Sequence, residues 1–198
     1  SKGILNRIEA VGELLSSHAD YRNRITFVQI AAPSRIDVKR YRSLRREIEA
    51  MAGKVNGRHA EIDWVPVRYL NRVFPRRQLA GFYRVAGIGL VTPLRDGMNM
   101  VAKEYVAAQR ADDPGVLVLS RFAGAAATLN TALLVNPFDA EAIAEALHRA
   151  LTMSAEERMA RHAALLGPMR AQSAASHTAQ FLSALASAAA PAQEVMHA

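Results

Sequence analysis

Residues 87–109 read Gly87-Ile88-Gly89-Leu90-Val91-Thr92-Pro93-Leu94-Arg95-Asp96-Gly97-Met98-Asn99-Met100-Val101-Ala102-Lys103-Glu104-Tyr105-Val106-Ala107-Ala108-Gln109. The short apolar run 87–91 is a buried strand. Residues 92–97 form a turn, and from Asn99 the pattern becomes helical through Gln109. A strand end, a Gly-containing turn and a helix N-terminus in succession leave backbone N–H groups and the positive end of a helix dipole facing outward. That arrangement is an anion site. Gly97 has no Cβ to obstruct a ligand approaching the backbone. Asp96 stands at the rim, where it can accept hydrogen bonds from sugar hydroxyls. Glu104 sits further along the helix, where one carboxylate can take both hydroxyls of a ribose. The same residues also suit a plain strand–turn–helix in which Asp96 caps the helix and Glu104 is solvated. The spacing alone leaves both readings open.

Outward from this unit the same alternation repeats. Upstream, Ile4, Ile8, Val11 and Leu15 recur at helical spacing, and 25–30 is a compact β-branched and aromatic run that reads as a strand. Pro33-Ser34-Arg35 is a turn. The next helix carries Tyr41, Leu44, Ile48 and Met51 on one face, with Arg40, Arg42, Arg45 and Arg46 largely off it, until Gly53 and Gly57 break the pattern. A second strand is expected over 62–67, then a loop with Asn71 and Phe74, then a short helix over 78–84. Downstream, 116–119 and 133–135 are strands, 139–153 and 155–172 are helices, and an Ala-rich helix covers about 178–188.

Strands alternating with helices across short connections specify an α/β fold: a Rossmann-like, doubly wound parallel sheet followed by C-terminal helices. The expected division is 1–152 for the sheet domain, 153–189 for the helices and 190–198 for a mobile tail. Ligands of such folds bind beyond the carboxyl ends of the strands, which directs attention to 33–35, 71–74 and 92–99. A helix that begins near residue 3 with no strand before it is an unusual start for this fold, as if the chain were cut just after a strand.

Composition narrows the function. The chain has 198 residues, half of them hydrophobic, and a formal net charge of +7. The absence of cysteine excludes disulfides, zinc–thiolate sites and cysteine nucleophiles, and fits the cytoplasm. No apolar run reaches the roughly 20 residues that span a bilayer, and the first residues lack a signal-peptide core. The positive charge suits a cleft that gathers phosphorylated small molecules. Nucleic-acid recognition has no zinc finger, RNP-type motif or sustained basic block behind it. The histidines at 18, 59, 148, 162, 177 and 197 have no ligand spacing and are expected on surfaces or helices, so no metal is expected. Trp64 reads as a packing residue.

The run TPLRDGMNMVAKEYVAAQ (92–109) strongly resembles the donor-sugar motif of the trehalose-6-phosphate synthase family, glycosyltransferase family 20. Ser1-Lys2-Gly3 looks like the tail of that family's arginine-to-SKG motif. QIAAPSR (29–35) and RYLNRVF (68–74) resemble two more of its segments. The matches stand in the correct order and cover the chain to about Pro137. The resemblance implies the C-terminal, donor-binding domain of a GT-B glycosyltransferase, transferring glucose with retention from UDP-glucose to glucose 6-phosphate, without a metal or other cofactor. It implies catalytic roles for Lys2 and Asp96. Lys2 would meet the diphosphate and Asp96 the glucose hydroxyls. Gly97, Met98, Asn99, Met100 and Val101 would line the sugar and phosphates, and Glu104 the ribose. Phe74 and Arg76 would lie near the base, and Arg35 would receive the phosphate of the acceptor. The nucleobase itself, UDP against ADP or GDP, leaves no side-chain signature.

Relative to that family, the N-terminal acceptor domain, its Gly-rich donor loop and the strand before Lys2 are missing. The chain is therefore expected to be part of a longer polypeptide. The basic helix 39–46 reads first as a solvated face, though it could contact a neighbouring subunit in a homo-oligomer. The alternatives are another GT-B transferase with a different sugar or acceptor, and a non-catalytic nucleotide-sugar-binding module. A module of that kind would be expected to have lost Asp96 or Glu104, and both are present.

Overall fold

The structure is a computed structural model that describes residues 2–33, 39–171 and 174–189. Helix α1 (Ile4–Ser17) leads through a 3₁₀ turn (Ala19–Tyr21) to β1 (Phe27–Ile30), α2 (Lys39–His59), β2 (Val67–Leu70) and α3 (Arg76–Val85). Strand β3 (Ile88–Val91), α4 (Met100–Ala108), β4 (Val116–Ser120), a 3₁₀ turn (Gly124–Ala127) and β5 (Leu133–Val135) follow. Helices α5 (Ala140–Thr152), α6 (Ala155–Ala171) and α7 (Ala174–Ala189) complete the described chain.

All strand pairs are parallel, as the alternating pattern requires. Every residue of β4 is buried, and its side chains divide by parity. Val116 and Val118 join a core with Ile8, Val11 and Leu15 of α1 and Ile143 and Leu147 of α5. Leu117 and Leu119 join a second core with Ala102, Tyr105 and Val106 of α4 and Leu165 of α6. A strand covered on both faces in this way is what a doubly wound sheet produces. The described strands nevertheless form two sheets, β1–β2 and β3–β4–β5, with no ladder between them. Helix α1 packs against both α2 and α5 and so gives the two sheets one shared core.

Three expectations need correction. Helix α2 does not stop at Gly53 or Gly57 but continues to His59. Both glycines face open space, while Ile48, Ala52 and Val55 are buried on the other side. Burial along that face outweighs the roughly 1 kcal/mol that each glycine costs relative to alanine. The second strand is not 62–67 but Val67–Leu70. Ile62 is fully exposed, and 61–64 is a turn in which the Glu61 amide donates to the Trp64 carbonyl at 2.9 Å. The Asn56 side chain fixes the start of β2, donating to the Val67 carbonyl and accepting from its amide, both at 2.9 Å. Trp64 packs as expected, with its Nε1 donating to the Ile25 carbonyl at 2.9 Å. The last helix starts at Ala174 rather than near 178.

Of the histidines, His59, His148 and His162 lie in helices, as expected. His59 and His162 are buried, and His18 stacks on His148 with ring centroids 4.0 Å apart. Residues 190–198, expected as a tail, lie outside the described residues.

Candidate functional site

The segments that follow β2 and β3, each a loop and the helix after it, and the turn before α1 carry the described residues singled out in the sequence. After β3 the chain runs through Thr92 and Pro93, both buried, and turns at 94–99. The turn is pinned to the segment after β4 by backbone bonds. The Asp96 amide donates to the Phe122 carbonyl at 3.2 Å, Gly124 N–H to the Asp96 carbonyl at 3.0 Å, and Ala125 N–H to the Met98 carbonyl at 2.7 Å. Gly124 is required there, because a Cβ would overlap the Gly97 carbonyl. Gly97 itself is exposed, with open space beside it.

Asn99, not Asp96, caps α4. It adopts the left-handed conformation, φ 77°, and its Oδ1 accepts from the Ala102 amide at 3.0 Å. The N–H groups of Met100 and Val101 lie in the first turn, where a helix provides no internal acceptors. Relieved of capping, Asp96 is free to face the site. Its Oδ2 accepts from Lys2 Nζ at 2.6 Å and from Asn99 Nδ2 at 3.3 Å. The Lys2 hydrogen bond, helped by the Met98 amide and Asn99, holds the Asp96 carboxyl below its ordinary pKa despite partial desolvation. Asp96 is therefore a carboxylate at neutral pH.

Lys2 comes from the other side of the site. Gly3, the N-cap of α1, has φ 67°, and a Cβ on it would overlap the Thr92 carbonyl. Only glycine lets the start of α1 press this closely on the exit of β3. The N-termini of α1 and α4 are thus joined by one ion pair, with Lys2 largely exposed (64%) and Asp96 mostly covered (17%). Exposed lysine contributes little stability in such a pair. What the pair supplies is a positioned, replaceable cation beside two sets of helix-terminal N–H groups, a suitable seat for a diphosphate.

The other described residues singled out in the sequence lie at the head of α4 and where β2 leads into α3. Met98, Met100 and Val101 are exposed at the head of α4, and Glu104 is exposed one turn further along. Helix α3 packs beside α4, and Arg76 is exposed at its first position. Phe74 does not offer its ring. It is buried (8%), edge-on to Phe82 at 5.2 Å, and lies under the Arg72 guanidinium at 4.4 Å. Arg35 lies outside the described residues. Sequence reasoning missed the cap role of Asn99, which its place before the helical run signals. It also missed Gly124, Arg7 and their contacts, which join segments remote in sequence. Among the described residues no group of three His, Asp or Glu side chains could hold a metal ion, and no helix is long and apolar enough to cross a membrane.

The profile of glycosyltransferase family 20 matches residues 1–187. The chain belongs to glycosyltransferase family 20. Among its relatives in that family, the trehalose-6-phosphate synthase of Sinorhizobium fredii is 55% identical over 161 residues, which are 81% of this chain and 35% of that protein. The UDP-forming α,α-trehalose-phosphate synthase of Burkholderia xenovorans, solved in complex with glucose-6-phosphate, superposes with a TM-score of 0.91 at 48% identity. That match covers 93% of this chain and 41% of the other. The E. coli structure described as trehalose-6-phosphate bound with UDP-2-fluoro glucose gives the same TM-score at 48% identity and the same coverage of both chains. The fold is accordingly that of the GT-B synthases, and the chain spans about a third to two fifths of the length of these relatives.

Proposed function

We propose that this chain is the donor-binding portion of a retaining glucosyltransferase that moves glucose from UDP-glucose to glucose 6-phosphate, giving α,α-trehalose 6-phosphate and UDP. The observation that carries the reading is the Lys2–Asp96 ion pair set between two helix N-termini. Lys2 would exchange its contact with Asp96 for the diphosphate, releasing the Asp96 carboxylate to glucose hydroxyls. The amides at the head of α4 would meet the same phosphates, Glu104 the ribose hydroxyls, and the chain at Phe74 with Arg76 the base. Arg35 would take the acceptor phosphate.

In the reaction the glucosyl C1–oxygen bond to UDP breaks, and its electron pair stays on the diphosphate. The acceptor's anomeric hydroxyl oxygen forms the new bond to C1 from the same face, and its proton passes to the departing phosphate oxygen. Charge therefore builds on the diphosphate, where Lys2 and helix-terminal N–H groups stabilise it without a metal. Asp96 is assigned no nucleophilic role. The acceptor half of the cleft, an N-terminal domain, is the partner this reaction needs, and a cytoplasmic site suits both phosphorylated substrates. Neither nucleic acid nor membrane has a place in this scheme.

Calorimetric titration with UDP-glucose, beside the ADP and GDP analogues, tests the assignment. Saturable binding that weakens ten-fold or more in Asp96→Ala and in Glu104→Ala is expected. Unchanged affinity in both variants would refute the site.

A further inference from the structure

Lys2 sits on a flexible four-carbon stem ahead of α1, yet its ammonium meets Asp96 at 2.6 Å. Something must hold the backbone from which it springs. Arg7, one turn into α1, reaches back along the helix to that backbone. Its Nη2 donates to the Lys2 carbonyl at 2.7 Å, its Nε to the Gly3 carbonyl at 3.4 Å, and its Nη1 to the Leu90 carbonyl at 3.2 Å. In a parallel ladder, alternate residues face opposite neighbours, and Gly87 already accepts from Val116 of β4. Leu90 therefore turns its carbonyl to the edge of β3 that β4 does not use. One guanidinium thus fastens the Lys2–Gly3 turn to the free edge of the strand that leads to Asp96.

The position of Arg7 is unfavourable on local grounds. A cation near a helix N-terminus opposes the helix dipole. The three hydrogen bonds all go to carbonyls, none to a carboxylate. Desolvation lowers its pKa to about 10, which leaves it protonated at neutral pH. A planar fork spreads its donors over three nitrogens and so meets three diverging carbonyls, whereas an ammonium offers all of its donors from one nitrogen.

We propose that Arg7 is the positioning residue for Lys2: it clamps residues 2 and 3 to β3 so that the Lys2 ammonium stands opposite Asp96, where a nucleoside diphosphate is bound. The proposal rests on the donor-site reading above. The links form a closed circuit. Arg7 ties Leu90 to Lys2, Lys2 ties to Asp96, and the chain from Asp96 leads back to Leu90.

The test is a double-mutant cycle read by calorimetry with UDP, on the 198-residue chain. Lys2→Ala and Arg7→Met are each expected to weaken UDP binding about ten-fold or more, and the double variant should be no weaker than Lys2→Ala alone. Arg7→Met combined with Glu104→Ala should instead add. Arg7→Lys, which keeps the charge and perturbs folding less, should fall with Arg7→Met. Without ligand, carboxyl NMR should show the Asp96 titration rising in Arg7→Met toward its position in Lys2→Ala, a readout that a purely stabilising arginine would not move. UDP affinity unchanged in Arg7→Met, or a loss fully additive with Lys2→Ala, would overturn the role of Arg7 alone. Absence of UDP binding by the folded wild-type chain would sink the donor-site reading and this role together.

Discussion

At the scale of single residues, polar side chains here divide into those that face the site and those that the fold encloses. Asp96 and Asn99 stand three positions apart in one turn: Asn99 takes the capping role that spacing left open to Asp96, and Asp96 meets Lys2. Asparagine tolerates the left-handed backbone that this cap position adopts, so the carboxylate is left free. His59 belongs to the enclosed group. It is buried, its Nε2 lies 3.4 Å from Ser16 Oγ, and desolvation, with Arg22 and Arg58 near it, lowers its pKa. A base whose pKa is depressed by folding binds protons more readily in the unfolded chain. Its contribution to stability is therefore complete above the ordinary value of about 6.5 and is lost as the pH falls below it. Urea unfolding at pH 8 and pH 5 should show a larger drop in stability for the wild-type chain than for His59→Gln. Equal drops would assign the acid sensitivity to other groups.

At the scale of elements, α4 is the part of the site most dependent on one local contact. It is nine residues long, a length at which isolated helices are marginal, and no acidic residue lies in its first turn. Its stability comes from the Asn99 cap and from burying Ala102, Tyr105 and Val106. Removing the cap in Asn99→Ala should cost about 1 kcal/mol, with more from forcing alanine into the left-handed region. Asn99→Gly should cost less, because glycine accepts that backbone. Thermal melts of the two variants check the order, and Asn99→Ala melting above Asn99→Gly would contradict it. Helix α2 offers the opposite lesson. Two glycines in its sequence signal an end, and packing of its other face against α1 carries it past both.

At the scale of the whole molecule, stability should be uneven. Strand β4 has a neighbour on each side and a core on each face, whereas among the described residues β1 and β2 pair only with one another. Val28 of β1 is 48% exposed, unusual for a strand in a doubly wound fold. Amide hydrogen exchange should therefore be slowest in β4 and distinctly faster in β1 and β2. Equal protection across all five strands would indicate that the two sheets open as one cooperative unit.

The parallel α/β character, β3 and β5 nearly residue for residue, and the strand–turn–helix at 87–109 were all legible in the sequence, because hydrophobic period and turn residues are local properties. The resemblance also grouped Lys2, Asp96, Met98–Val101 and Glu104, and of these the structure joins Lys2 to Asp96 and Asp96 to Asn99 by hydrogen bonds. The start of β2 was not legible, because it is set by the Asn56 side chain on the preceding helix. The burial of the Phe74 ring, the stacking of His18 on His148 and the clamp from Arg7 to Leu90 were not legible either. The last two depend on where α1 meets segments distant in sequence, and its packing against α2 and α5 brings them within reach, whereas the Phe74 ring is covered by Arg72 and Phe82 only once the chain turns into α3.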